Sequence, residues 1–225
     1  MLNRDSLMSL EEYAKRRNAF RTEVMEHKKS RKMHLGEHVT VLFEDALTVQ
    51  YQVQEMLRVE KIFEEEAIEE ELNAYLPLVP DGNNLKATLL IEYPDENERK
   101  VALGKLIDLE DRVWIRVPGF DKVFPFADED LDRENGEKTS SVHFLRFELT
   151  NDMKKSLLHG GSFGIGIDHP NYMVDIEEVS EKFRDSLVKD LTKPSSSEIN
   201  SLAKDLLRSC NFNILSSTVS LQIMR

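Results

Sequence analysis

Hydrophobic and polar residues follow two different periods along this chain, and the two periods predict a mixture of helices and strands. From Leu10 to Val24 the apolar residues recur at helical spacing, which predicts a helix over about 10–30. Ser9 and Glu12 precede and open this segment at the spacing of a capping box, in which the two side chains satisfy free backbone amides. The first predicted element is therefore an N-terminal helix.

The next segment, residues 47–57, fits both periods. Its first half alternates apolar and polar residues, as a strand does, whereas Val49, Val53 and Met56 lie on one face of a helix. Asp45 stands where a helix N-cap is needed, and the straight-chain polar residues at the end of the segment favour a helix. We therefore predict a helix here.

The centre of the chain predicts a sheet. Short runs of alternating apolar residues are separated by turn residues, and Pro125 indicates that the run containing it lies at a sheet edge. The fold class predicted is α+β, with a central, mainly antiparallel sheet flanked by helices. The predicted strands are 39–43, 86–93, 112–117, 122–126, 141–149 and 162–167, and the further predicted helices are 64–75, 95–108, 151–159 and 176–191.

The composition changes near residue 192. From 193 to 225, eight residues are serine and charged residues become sparse. We interpret 1–191 as a single α+β domain and 192–225 as a Ser-rich C-terminal appendage, with a short helix ending near Arg208.

Charge is unevenly distributed. The whole chain carries a net charge of −12, which argues against general nucleic-acid binding, but residues 1–34 contain nine basic and five acidic residues. This basic N-terminal helix either docks on an acidic partner or simply exposes a solvated basic face, and the second interpretation is the more common for charge runs.

The number of cysteines and the length of the apolar runs indicate in which cellular compartment the protein is expected. Cys210 is the sole cysteine, so an intramolecular disulfide and a CxxC motif are both excluded. The N-terminus lacks the apolar core of a signal peptide, and no run approaches the length of a membrane span. We expect a cytoplasmic protein without membrane contact.

Common catalytic and cofactor motifs are absent from the sequence. The glycine cluster from Gly160 to Gly166 follows a predicted helix and precedes a strand, the reverse of a phosphate-binding loop, so we interpret it as a helix C-cap followed by a strand. No GxSxG elbow is present, and no motif indicates a cofactor.

Histidines provide one candidate site. His143 is in phase with the apolar residues of its strand, so it is expected to face the core, and His169 lies where a strand ends. If the fold brought His143 and His169 together with Glu55 or Glu148, imidazole and carboxylate ligands would suit zinc, iron or manganese. The remaining histidines are predicted at the surface: His27, His34, His38 and His159.

A polar cluster on the second helix provides the other candidate. Its amide, carboxylate and guanidinium groups, within two helical turns, suit contact with a polar ligand or a partner. The alternative is a buried hydrogen-bond network that fixes the helix to its neighbours. The residues are Gln52, Gln54, Glu55 and Arg58.

Several uninterrupted blocks over 1–191 resemble a bacterial family catalogued as a domain of unknown function, DUF3501. The blocks include 8–13, 42–45, 52–60, 78–82, 91–94, 142–149 and 168–170. The family has no assigned catalytic residues, so no residue role is carried over. The resemblance implies a context, because such genes often lie beside those for rubrerythrin-like proteins and iron–sulfur oxidoreductases.

Two functions are therefore expected. The first is a non-enzymatic accessory or binding protein for an electron-transfer or oxidative-stress system, with an iron–sulfur oxidoreductase or a rubrerythrin-like protein as its partner. The alternative is a metal-dependent enzyme that uses a His/carboxylate site. The absence of a catalytic motif favours the first.

Overall fold

The computed structural model describes residues 2–129, 133 and 138–191. These residues form six α-helices and eight strands, which confirms the predicted α+β class. They group into two compact units, one made of residues 2–29 and 44–80, the other of residues 30–43 and 81–191. The prediction of a single domain over 1–191 stays a prediction, and the tail with its predicted short helix lies outside the described residues.

The first unit contains three helices, α1 (Leu10–Lys28), α2 (Ala46–Glu60) and α3 (Glu65–Tyr75). The Ser9 side chain accepts a hydrogen bond from the backbone amide of Glu12, and the Asp45 side chain accepts from the amides of Leu47 and Thr48. Because Asp45 satisfies these first-turn amides, the segment with the ambiguous period is helical, as predicted. The end of α3 at Tyr75 is also as predicted.

The core of the first unit is formed by the apolar faces of these helices and by the N-terminal segment. Tyr13 and Val24 are fully buried on α1, and Val53 is fully buried on α2. The apolar residues buried together are Leu2, Leu7, Val24, Val49, Tyr51, Val53, Met56, Leu57, Ile68, Leu72 and Tyr75. Burial of these side chains, each worth about 1.5–3 kcal/mol, stabilises helices that would be marginal in isolation.

The second unit contains two sheets rather than one. The strands in chain order are β1 (Lys32–Leu35), β2 (Val39–Glu44), β3 (Asn84–Ile91), β4 (Val113–Arg116), β5 (Phe126–Ala127), β6 (Val142–Glu148), β7 (Gly164–His169) and β8 (Tyr172–Ile176). One sheet has the order β1-β2-β3-β6-β5 and the other the order β4-β7-β8. The pairs β1–β2, β3–β6, β5–β6, β4–β7 and β7–β8 are antiparallel.

Two predicted boundaries in the second unit are wrong. The strand predicted over 122–126 is reduced to β5, at the edge of its sheet, because Pro125 has no amide to donate to a neighbouring strand. The helix predicted from Ile176 begins at Glu181 instead, capped by Ser180, because Ile176 pairs with Ile165 at the end of β8. The strands β1 and β8 were not predicted.

The second core lies between the sheets and three helices, α4 (Glu96–Lys105), α5 (Asn151–Leu158) and α6 (Glu181–Val188). The predicted face of β6 is confirmed, since Leu145 and Phe147 are buried in this core and His143 is fully buried in phase with them.

The C-cap interpretation of the glycine cluster is also confirmed. Gly160 has φ +87°, and the next amide, that of Gly161, donates to the carbonyl of Ser156.

No helix in the described part of the chain is both long enough and apolar enough to cross a membrane.

Candidate functional site

Three acid and imidazole side chains meet inside the second unit. Glu110 begins a short 3₁₀ turn before β4, Asp128 directly follows β5, and His143 is the second residue of β6. One ligand atom from each lies within 4.8 Å of the other two. His143 is fully buried and Glu110 is 6% exposed, while the Asp128 side chain is 11% exposed. Among the described residues this is the group whose arrangement could hold a metal ion.

The backbone of β6 fixes the position of Asp128. Its amide donates to the carbonyl of Phe144 at 2.9 Å, and its Oδ1 accepts from the amide of Phe144 at 2.9 Å. Asp128 adopts φ +48°, a left-handed conformation that aspartate tolerates better than most residues. This turn leaves the second oxygen, Oδ2, 2.5 Å from Nδ1 of His143.

Both ring nitrogens of His143 face acceptors. Nδ1 lies 2.5 Å from Asp128 Oδ2 and 3.5 Å from Glu110 Oε1, and Nε2 donates to the carbonyl of Ser140 at 3.0 Å. Burial by itself would lower the pKa of His143, but the hydrogen bond to Asp128 and the charges of Asp128 and Glu110 raise it. The two carboxylates therefore favour the charged form of the ring.

Thr139 completes the centre but does not form a nucleophilic triad. Its hydroxyl lies 3.0 Å from Nε2 of His143 and donates to Glu110 Oε2 at 3.2 Å. Since Nε2 already carries a proton, it cannot accept the hydroxyl proton, as a general base in a triad must. Thr139 is also only 1% exposed, so its oxygen is closed to a substrate.

The donor set suits a divalent transition metal. One imidazole nitrogen and two carboxylate groups are ligands typical of zinc, iron and manganese. Ligands about 2.1 Å from one ion lie roughly 3–3.5 Å from each other. The Glu110 contact with Nδ1 already has this separation, and the Asp128 contact needs to open by less than about 1 Å. A metal ion would replace the Nδ1 proton.

Comparisons with known proteins assign the chain to a family. The model of the family "Protein of unknown function (DUF3501)" matches residues 1–191. The chain belongs to the DUF3501 family. It is also similar to the crystal structure of a novel protein of unknown function from Burkholderia pseudomallei K96243, with 52% identity and a TM-score of 0.81. That match covers 84% of this chain and 98% of the other. No curated protein matches the chain.

The predicted metal ligands occupy different local environments in this DUF3501 chain. His169 Nε2 donates to the carbonyl of Ile107 at 2.9 Å, and its Nδ1 accepts from the amide of Asn171 at 3.2 Å. Glu148 accepts hydrogen bonds from Asn84 and Arg146. The group of Glu110, Asp128 and His143 therefore contains one of the four predicted ligands, His143. The metal site predicted from His143, His169, Glu55 and Glu148 stays a prediction.

Glu55 lies in a buried network in the first unit. It accepts a hydrogen bond from the Tyr13 hydroxyl at 2.6 Å and two from the guanidinium of Arg17 at 2.7 Å each. Burial by itself would raise the pKa of Glu55, but the bonds from Arg17 and Tyr13 hold it below its ordinary value. These contacts favour the interpretation that Glu55 pins α2 to α1.

The other members of the predicted polar cluster differ in exposure. Gln52 and Gln54 are buried, and Gln54 bonds to the backbone amide and carbonyl of Met8, whereas Arg58 is exposed. The prediction that Gln52, Gln54, Glu55 and Arg58 contact a ligand or partner stays a prediction.

The basic face of α1 is largely paired with acidic side chains. Lys15 pairs with Glu11 and Arg16 with Glu12, each one turn apart on the exposed surface. Such pairs satisfy the charges of a solvated helix face. This pairing favours the solvated interpretation of the N-terminal charge.

Glu110 and Asp128 were not predicted as site residues. Both carboxylates belong to charged connections rather than to the apolar runs that periodicity detects. The sequence feature that could have indicated them is their position at strand ends. Asp128 follows the strand containing Phe126, and Glu110 precedes the strand that begins at Val113. Residues at strand ends often carry function, but their number in any chain is too large for this signal to select two.

Proposed function

We propose that this DUF3501 chain is a non-enzymatic protein that binds one divalent transition-metal ion through Glu110, Asp128 and His143. The observation that carries the proposal is the convergence of three ligand atoms within 4.8 Å, two of them on the buried residues Glu110 and His143 and one on the half-buried Asp128. Nδ1 of His143 faces both carboxylates. A bound metal ion would take the place of the proton on this nitrogen.

Burial favours a binding role over catalysis. A catalytic metal keeps one coordination position open to water or substrate, whereas His143 is fully buried and Glu110 is nearly so. A metal-dependent enzyme with the same centre is the second candidate, because three protein ligands leave at least one position of the metal unfilled. Access of a small anion or water to the loaded metal separates the two candidates.

The proposed setting is an accessory role beside an iron–sulfur oxidoreductase or a rubrerythrin-like protein in the cytoplasm. The resemblance to DUF3501 sequences supports this setting through the genes that neighbour them. We expect the full chain, isolated from its native host, to carry such an oxidoreductase with it under anaerobic conditions. Recovery of the chain alone, under both reducing and oxidising conditions, would count against the partnership and leave the metal proposal intact.

Elemental analysis tests the metal centre. The untagged full chain, expressed without chelators and purified anaerobically, is expected to contain close to one equivalent of zinc, iron or manganese. Asp128→Asn keeps the size of the side chain and its bond from the Phe144 amide but weakens the charge that holds a cation. We expect this variant to lose most of the metal, since even outer-shell substitutions cost about 10–100-fold in affinity.

Matched variants locate the ligands. Glu148→Gln changes a carboxylate outside the centre and is expected to leave the metal content unchanged. His169→Gln distinguishes this centre from the set predicted by sequence, since metal is retained if His169 is not a ligand. A folded wild-type chain that contains no metal, and whose melting temperature is unchanged by added Zn²⁺, Mn²⁺ or Fe²⁺, would contradict the proposal.

A further inference from the structure

A surface groove in the second unit runs along one face of α4. Its volume is about 520 Å³, within the range of small-ligand sites. The lining residues are Tyr93, Asn97, Glu98, Val101, Ala102, Lys105, Leu106 and Asn171.

Two charged side chains border this groove, Glu98 and Lys105. Neither the Glu98 carboxylate nor the Lys105 ammonium has a hydrogen bond or ion pair with any residue of 2–129, 133 and 138–191. The neighbouring charges of α4 are engaged elsewhere, since Lys100 pairs with Glu96 and Arg99 donates to the carbonyl of Tyr93. The charges left for a ligand are therefore an anion and a cation on the same face.

Helix geometry sets the distance between these charges. Glu98 and Lys105 are seven residues apart, which places them on one face of α4 and about 10 Å apart along its axis. Between them lie Val101, which is 58% exposed, and Ala102. A complementary ligand carries a cation and an anion about 10 Å apart, joined by an apolar middle.

Polar groups beside this apolar strip favour a peptide. The Asn97 and Asn171 side chains offer amide groups to the groove, and Asn171 is held in place by a bond to the carbonyl of Lys105. Tyr93 forms a fixed wall, because its ring stacks on His38 with centroids 3.9 Å apart. An extended tripeptide spans about 10 Å and supplies peptide groups between its two charged ends.

We propose that this groove binds a short apolar peptide through its free ends, with the amino group on Glu98 and the carboxylate on Lys105. This site is separate from the metal centre, and its occupation does not depend on metal. Both ion pairs are exposed, so each contributes modestly and the Kd is expected in the millimolar range.

Nuclear magnetic resonance of the ¹⁵N-labelled full chain tests the proposal, with alanyl-leucyl-alanine as the probe. We expect the amide resonances of residues 97–106 to shift on titration. Acetylating the amino end or amidating the carboxyl end is expected to weaken binding about two- to fivefold, as for loss of one exposed ion pair. A linear ω-amino acid of matching length tests whether the peptide groups contribute.

Substitutions assign each end of the ligand. In Glu98→Gln the free and acetylated peptides are expected to bind equally, and in Lys105→Met the free and amidated peptides. Glu96→Gln alters a carboxylate of the same helix that is paired with Lys100, so binding is expected to be unchanged. Absence of shifts at residues 97–106, or equal binding of capped and free peptides by the wild-type chain, would overturn the proposal. Equal binding of the ω-amino acid would overturn its assignment to peptides.

Discussion

Replacing Glu55 by glutamine perturbs the buried network of the first unit with little change in volume. Glu55 is 4% exposed and is the shared acceptor for Tyr13, which is fully buried, and for Arg17, whose side chain is 28% exposed. In Glu55→Gln one amide oxygen still accepts a bond, but the amide nitrogen faces the guanidinium in either orientation, because Arg17 donates to both carboxylate oxygens. The substitution therefore removes the charge and at least one of the three hydrogen bonds.

The expected loss of stability follows from the number and type of these bonds. A hydrogen bond to a charged group contributes about 1.5–3 kcal/mol, and breaking a buried ion pair costs about 3–5 kcal/mol. Because Arg17 keeps partial contact with water and glutamine retains one acceptor, we expect Glu55→Gln to lower the free energy of unfolding by about 2–4 kcal/mol. With a urea dependence of about 2 kcal/mol per molar, in the middle of the typical range, the midpoint falls by about 1–2 M.

Two optical probes report on the two units to different extents. The chain has a single tryptophan, Trp114, which lies in the second unit, whereas the circular dichroism of helices comes from α1, α2 and α3 of the first unit together with α4, α5 and α6 of the second. Urea titration is therefore followed by tryptophan fluorescence and by circular dichroism on the same samples. We expect Glu55→Gln to lower by the full amount the midpoint of that part of the circular dichroism transition that the first-unit helices contribute.

Glu12→Gln is the matched control. It removes a carboxylate from α1 that pairs with Arg16 on the exposed surface, a contact worth about 0.3–0.5 kcal/mol. The reasoning is refuted if Glu55→Gln shifts the midpoint no more than Glu12→Gln does, because the Glu55 contacts would then contribute no more than a surface pair.

Three further outcomes are expected from single substitutions. Burial raises the pKa of Glu71 to about 7, so its contribution to stability is complete below its unfolded pKa and is lost as pH rises through the folded value. Glu71→Gln should therefore match the wild type at about pH 4 in urea unfolding and exceed it by about 1–2 kcal/mol near pH 8.5, with solvent contact limiting the gain. Gly166→Ala would place a Cβ 2.3 Å from the Trp114 ring, so we expect a loss of about 2–3 kcal/mol, measured by thermal unfolding. Arg31→Met removes a buried guanidinium that pairs with the buried carboxylate of Asp190, which should cost about 3–5 kcal/mol in urea unfolding and be eased by also replacing Asp190 with asparagine.

Local chemistry was sufficient for most of the helices and strands. The Asp45 cap decided for a helix where periodicity was ambiguous, and alternation placed His143 on the buried face of β6. Both inferences rest on interactions within a few residues, which a sequence displays directly. The prediction failed near Pro125 and Ile176, where pairing with a distant strand, rather than local preference, decides whether a segment is part of a sheet.

The sequence by itself determined the α+β class, the capped helices, the buried phase of His143 and the family to which the chain belongs. Only the tertiary structure decided which side chains accompany His143. Glu110 and Asp128 lie 33 and 15 residues before it, and pairing of β5 with β6 is what brings Asp128 to the imidazole. Periodicity specifies which face of an element is buried, whereas the meeting of residues from separate elements depends on strand order and register, which are set by the packing of the whole core.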